Sequence, residues 1–218
     1  MKPWLAAARA VGVEAASRHA DDVDQRARFP AEAFAALKKE KLLGLLVPKS
    51  EGGAGAGIAD VVAICHELGQ RCAATAMIYA MHQIQVACIV RHAGGNAWLK
   101  GFLKRVANDQ LLLASATSEA GVGGDVRSSI CAVEEQNGRF KLIKEATVIS
   151  YGAEADGILV TARHTPHSPA SDQVIVVVPK TGYELAQESE WDTLGMRGTC
   201  SNGYRLRASG EMAQVVPV

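Results

Sequence analysis

An excess of either charge is what this sequence most plainly lacks: 23 Lys and Arg face 23 Asp and Glu over 218 residues, a formal net charge of zero. That balance excludes a basic nucleic-acid-binding arm and a polybasic membrane patch, so neither nucleic acid nor membrane is expected as a partner. No CxxC occurs, and the five cysteines, Cys65, Cys72, Cys88, Cys131 and Cys200, are odd in number and widely spaced. Neither a disulfide framework nor a zinc site is indicated, and a reducing, cytoplasmic location is expected. No pair of histidines has metal-ligand spacing with a carboxylate, so no metal is expected. A long apolar run near the start is missing too: Arg9 ends the stretch from Trp4 to Ala8, and Glu14 and Arg18 follow, which does not suit a signal peptide. The most apolar long segment, 73–90, carries His82, Gln83 and Gln85 near its middle, which suits a buried helix better than a lipid-spanning one.

With 48% hydrophobic residues the chain can bury a real core, and its two halves differ in period. The first half is helical. Pro30 opens a helix in which Phe34, Leu37 and Lys41 follow at helical spacing up to Gly44. After the flexible loop 51–57, Ile58, Val61, Val62 and Cys65 predict an amphipathic helix to about Gln70. The next helix spans 73–91, with Met77, Met81, Ile84 and Cys88 as one apolar stripe and Ile78, Val86 and Ile89 adding contact on other sides. Gly94-Gly95-Asn96 then breaks the chain, and Asn96 caps a helix marked by Leu99, Phe102, Leu103 and Val106. From Leu111 onward the period is that of strands. Asn137-Gly138 between Cys131/Val133 and Phe140/Leu142 predicts a hairpin, because both turn residues tolerate positive φ. Further strands are expected at 158–162, at 174–178 with both faces covered, and at 203–207, with a surface loop at 164–172. The class is therefore α+β: an N-terminal all-α domain, 1–110, followed by a small antiparallel β-barrel or sandwich domain, 111–218.

The segment most charged with chemistry is Ala114-Ser115-Ala116-Thr117-Ser118-Glu119-Ala120-Gly121-Val122-Gly123-Gly124-Asp125, a strand running into a glycine-rich loop. Its glycines let backbone N–H groups turn toward one ligand, and Thr117 and Ser118 add hydroxyls at the strand end. Such a loop holds a phosphate or a polar ring edge, or is a wide turn with solvent-facing hydroxyls.

Three motifs in order resemble the acyl-CoA dehydrogenase family. Ala116 to Asp125 is similar in register to that family's Ala-x-Thr-Glu-Pro-Gly-Ala-Gly-Ser-Asp. Leu45 to Gly53 resembles its Val-Pro-Glu-Glu-Tyr-Gly-Gly, and Leu194-Gly195-Met196-Arg197-Gly198-Thr199 its Leu-Gly-x-Arg-Gly-Ser. A fourth segment, Ala146-Thr147-Val148-Ile149-Ser150-Tyr151-Gly152, stands where the family has Lys-x-Trp-Ile-Thr-Asn-Gly.

The resemblance implies FAD bound against the β domain with an acyl-CoA thioester beside it. The chemistry is an α,β-dehydrogenation in which a carboxylate takes the α proton as the β hydrogen leaves as hydride to flavin N5. Thr117 and Ser118 are then expected at the pyrimidine edge, Gly123 and Gly124 on the pyrophosphate side, and Val148, Ile149 and Ser150 in the second flavin segment. Ser150 keeps a hydroxyl for the N5 region, whereas Val148 replaces the stacking tryptophan and Tyr151 the asparagine. Tyr79, His82 and Ser115 are expected on the acyl side, His82 having the other reading of a hydrogen-bonded core residue. The family's catalytic glutamate comes from a C-terminal four-helix domain, expected to begin beyond Val218. No residue here matches that base, and Glu119 belongs to the loop motif, so no catalytic residue is assigned within the chain. An electron-transferring flavoprotein as electron acceptor and a homodimer or homotetramer are the implied partners. Two other functions fit the same motifs: a two-component flavin monooxygenase, and a non-catalytic subunit that pairs with a separate helical chain.

Overall fold

The structure, a computed structural model, describes residues 2–217. Its first half is helical: α1 (Pro3–Val11) and α2 (Ser17–Gln25) joined by the π-turn Gly12–Ala16, then α3 (Ala31–Lys39), α4 (Ile58–Gly69), α5 (Ala73–His92) and α6 (Ala97–Asp109). Asn96 caps α6 as expected, its Oδ1 accepting the Leu99 N–H at 3.1 Å. Helix α3 stops at Lys39, short of the expected Gly44, and Lys41 then takes a φ of +56°.

The second half forms two four-stranded sheets and no closed barrel among the described residues, so of the two expected forms the sandwich is the one found. One sheet has the order β1 (Leu113–Ala116), β4 (Gly157–Arg163), β5 (Gln173–Pro179), β8 (Val215–Pro217). The other has β2 (Glu134–Gln136), β3 (Arg139–Ala146), β7 (Gly203–Glu211), β6 (Tyr183–Ser189). The sheets are not wholly antiparallel: β1 runs parallel to β4, Ala114 opposite Ile158, because the β2–β3 hairpin and the 147–156 connection intervene. That hairpin turns at Asn137 and Gly138 with φ of +54° and +74°, the pair of left-handed residues that a two-residue turn needs.

Three layers result. Phe140, Leu142, Leu206 and Ala208 of one sheet meet Ile158, Val160, Val174, Val176 and Val178 of the other in one apolar core. On the far side of the first sheet, Leu159 and Val177 pack with Val86, Ile89, Leu99 and Phe102 of α5 and α6, so β5 is covered on both faces. Each fully buried side chain of this kind contributes about 1.5–3 kcal/mol.

The helical stripes predicted as core are a different matter. On α5, Met77 and Ile84 are 41% and 57% exposed, and the buried face is instead Ile78, Tyr79, His82, Gln83, Val86 and Ile89. On α4, Ile58 and Val62 lie outside while Val61, Ile64 and Leu68 lie inside. A helix apolar on nearly every side has no period that selects its inner face, and here hydrogen bonding selects it. Leu42 O accepts from Tyr79 Oη at 3.1 Å and Gln83 Nε2 at 3.1 Å, and Leu43 O accepts from His82 at 2.8 Å. The polar side chains of α5 thus satisfy a buried turn that has no regular backbone partners.

The Leu194–Thr199 motif joins the two halves. Arg197 donates to Asp24 O at 2.8 Å, and a side chain on Gly198 would collide with Val23 and Ala74.

Candidate functional site

Strand β1 ends at Ala116, and the chain leaves it through Thr117 and Ser118 into the glycine turn. Together with Thr147, these residues line a cavity of about 280 Å³ whose remaining wall is Glu119 to Gly124 and Val126. Of the residues singled out from sequence, the structure therefore gathers Thr117, Ser118, Gly123 and Gly124 around one space. Gly123 and Gly124 have φ of +62° and +85°, and a Cβ on either would meet nothing within 4 Å. Their backbone is thus open for close approach by a ligand.

Four anchors hold this loop. Ser118 Oγ donates to Val148 O at 3.0 Å and accepts the Val148 N–H at 3.3 Å, which ties the loop to the second segment. The Ala120 N–H donates to Glu145 O at 2.9 Å. Glu119 turns inward, accepting from Ile130 N at 3.0 Å, Cys131 N at 2.6 Å and Lys144 Nζ at 3.1 Å, with the Glu119 and Lys144 side chains 4% and 0% exposed. Asp125 closes the far end through Ser128 Oγ and the Arg127 N–H, contacts that hold its carboxyl below the usual range. The sequence assigned the Ser118 hydroxyl to a ligand, but its single proton goes to Val148 O.

In the second segment the three predicted residues part company. Val148 is 36% exposed beside Ser118, whereas Ile149 is fully buried and presents no surface. Ser150 bonds Ser201 Oγ at 2.7 Å, Ser201 bonds Thr199 Oγ1 at 2.8 Å, and Thr199 donates to Met196 O at 2.8 Å. A carbonyl only accepts, so the direction of the whole chain is set: Ser201 donates to Thr199 and Ser150 to Ser201. Ser150 Oγ is left with acceptor capacity alone. Sequence reasoning missed Thr199 and Ser201 in this role, although the motif containing Thr199 was in view.

Tyr79 and His82 are fully buried, with the Tyr79 hydroxyl and the His82 ring bonded to main chain as above, so neither opens onto a cavity. The core reading of His82 is the one the geometry matches. Ser115 lies half-buried on the same face of β1 as Leu113 and does not line the cavity at the glycine turn. A wider groove of about 650 Å³ crosses the outer face of β3 and β7. Its Lys141, Arg163 and Arg207 are balanced by Glu134, Glu145 and Glu184, and of the motif residues only Glu119, paired with Lys144, reaches it. No group of three metal-ligating side chains occurs among the described residues.

Residues 3–110 match the model of the acyl-CoA dehydrogenase N-terminal domain. The chain belongs to the acyl-CoA dehydrogenase family. Among curated relatives, it is 28% identical over 182 residues to cyclohex-1-ene-1-carbonyl-CoA dehydrogenase of Geobacter metallireducens, covering 83% of this chain and 48% of that protein. The acyl-CoA dehydrogenase of Geobacillus kaustophilus superposes with a TM-score of 0.82 at 19% identity, over 99% of this chain and 57% of the other. The FMN-bound dibenzothiophene monooxygenase of Paenibacillus sp. A11-2 does so with a TM-score of 0.84 at 19% identity, over 98% and 53%. The chain thus spans about half the length of the acyl-CoA dehydrogenase family proteins it matches.

Proposed function

We propose that this chain forms the flavin-binding part of an FAD-dependent acyl-CoA dehydrogenase, which removes the α and β hydrogens of an acyl-CoA thioester. The observation that carries this is the cavity at the end of β1, where Thr117, Ser118 and an open glycine turn converge beside Thr147. The residues fit a flavin: the turn offers unshielded backbone for a phosphate or ring edge, and Ser150 offers an acceptor with its proton already committed. When bound, the flavin supplies the acceptor for the hydride that leaves the β carbon.

The chain's own residues shape and hold. Loop amides supply donors toward negative charge in the cavity, and Ser118 keeps the two flavin segments in register through Val148. Glu119 is no base, because Lys144 and two amides occupy its carboxylate. The base is therefore assigned to a helical unit seated on the exposed apolar face of α5, where Met77 and Ile84 lie open. An electron-transferring flavoprotein is the proposed electron acceptor, with a cytoplasmic location and a homodimer or homotetramer as the proposed setting.

Val148 supports a second reading. A valine one-third exposed where a tryptophan would stack suits a loosely held flavin, as in a two-component monooxygenase, and the dibenzothiophene monooxygenase likeness agrees with it. One test separates the two. The protein is titrated with FAD and FMN by flavin fluorescence, then given acyl-CoA and a dye acceptor, or reduced flavin and oxygen. Formation of 2-enoyl-CoA supports the dehydrogenase; oxygen-dependent hydroxylation supports the monooxygenase; no binding of either flavin overturns both.

A further inference from the structure

We propose that Lys144 is the positioning residue of the glycine-rich loop: it holds Glu119 so that residues 117–124 keep the shape that lines the cavity. It does so from two positions earlier on β3 than the lysine of the motif that this segment resembles, whose place is taken by Ala146. The ligand for which the loop is shaped rests on the flavin-site reading; the lock itself does not.

Three observations carry it. Lys144 is wholly buried, and its ammonium donates to Glu119 Oε2 at 3.1 Å, to Thr161 O at 2.9 Å and, at 3.5 Å, to Thr161 Oγ1. Glu119 sits in the cavity wall and its two oxygens also collect the N–H groups of Ile130 and Cys131, so one carboxylate ties together both ends of the 119–131 excursion. Finally, the Ala120 N–H bonds to Glu145 O, which sets Glu119 astride positions 144 and 146. Those two positions share one face of β3, since side chains alternate along a strand, and both are buried there. A lysine at either position faces the same carboxylate, which is why the loop tolerates Ala146.

The consequence is specific. Without the ammonium, Glu119 is a buried charge without its counterion, and the carboxylate swings to water and releases the Ile130 and Cys131 amides. Nothing about lysine 144 as a packing element predicts that a cation moved two residues along would restore the same amides.

Hydrogen exchange on the unmodified chain, on Lys144→Met and on the relocated variant Lys144→Ala with Ala146→Lys is the test. Lys144→Met is expected to speed exchange in 119–131 by about tenfold or more, and the relocated cation to bring it back near the original rate. Unchanged exchange in Lys144→Met overturns the proposal. So does a relocated variant that folds but stays unprotected. Should Lys144→Met fail to fold, the relocated variant decides alone: folded and protected supports the proposal, while folded and unprotected, or unfolded, overturns it. Flavin fluorescence with FAD and FMN runs in parallel. Absence of binding in the unmodified chain, with the expected exchange pattern, sinks the flavin reading and leaves the lock standing.

Discussion

His82 Nδ1 accepts the backbone N–H of Leu113 at 3.0 Å, which joins the middle of α5 to the first residue of β1. An amide N–H only donates, so the ring carries its proton on Nε2, toward Leu43 O. Burial above all pushes the His82 pKa down to about 4, with Lys38 nearby lowering it further while the Leu43 carbonyl and Asp156 oppose. Between the ordinary value of 6.5 and about 4, the unfolded chain binds a proton that the folded chain refuses. Stability therefore rises with pH across that window, is complete above it and is lost as pH falls through it, on the order of 3 kcal/mol in all. Urea unfolding at pH 7 and pH 4.5 should show a steeper loss for the native chain than for His82→Gln; equal slopes would discard the account.

Leu113 is gripped from its other side by Tyr151, whose hydroxyl donates to Leu113 O at 2.9 Å. Tyr151 holds a φ of +45°, a conformation that asparagine tolerates and tyrosine resists, so burial of the ring and this bond must offset the strain. Tyr151→Phe should cost about 1–2 kcal/mol, measurable as a lower urea midpoint with unchanged slope. No change in midpoint would mean that the carbonyl finds another partner.

What was legible in the sequence was what local chemistry decides. Asn137-Gly138 specifies its turn, the unbroken run Val174 to Val178 specifies a strand covered on both faces, and the glycines after Ser118 specify an open loop. Position along a helix face was not legible on α5, because Met77 and Ile84 look as apolar as Ile78 and Val86, and the choice belongs to bonds that His82 and Gln83 make forty residues away. Strand β6 was missed for a related reason. Glu184, Ala186, Gln187, Glu188 and Ser189 are exposed, and the strand exists through its backbone pairing to β7 rather than through any pattern of its own. Ser201 is the same case within the site: its meaning lies in Ser150 and Thr199, not in its neighbours.

Ser118→Ala removes both bonds to Val148 and so frees the glycine loop from the second segment. The net worth of such neutral bonds is about 1 kcal/mol, which corresponds to roughly fivefold weaker flavin binding. Fluorescence titration of FAD reads it directly, with stopped-flow reduction as a second measure. Unchanged affinity together with an unchanged reduction rate would remove Ser118 from the site.

Val148→Trp probes the opposite direction. Val148 is one-third exposed and is bonded through both its backbone groups to Ser118 of the cavity wall, so a larger side chain there grows outward rather than into packed core. If a flavin ring lies against this segment, an indole adds an aromatic contact worth about 1 kcal/mol beyond its buried area, and binding should tighten by about fivefold. A gain with FAD that leaves unfolding unaffected would place the ring beside residue 148. Weaker binding would instead mean that the valine leaves room for something a tryptophan excludes, and the monooxygenase alternative, with its freely exchanging flavin, would gain accordingly.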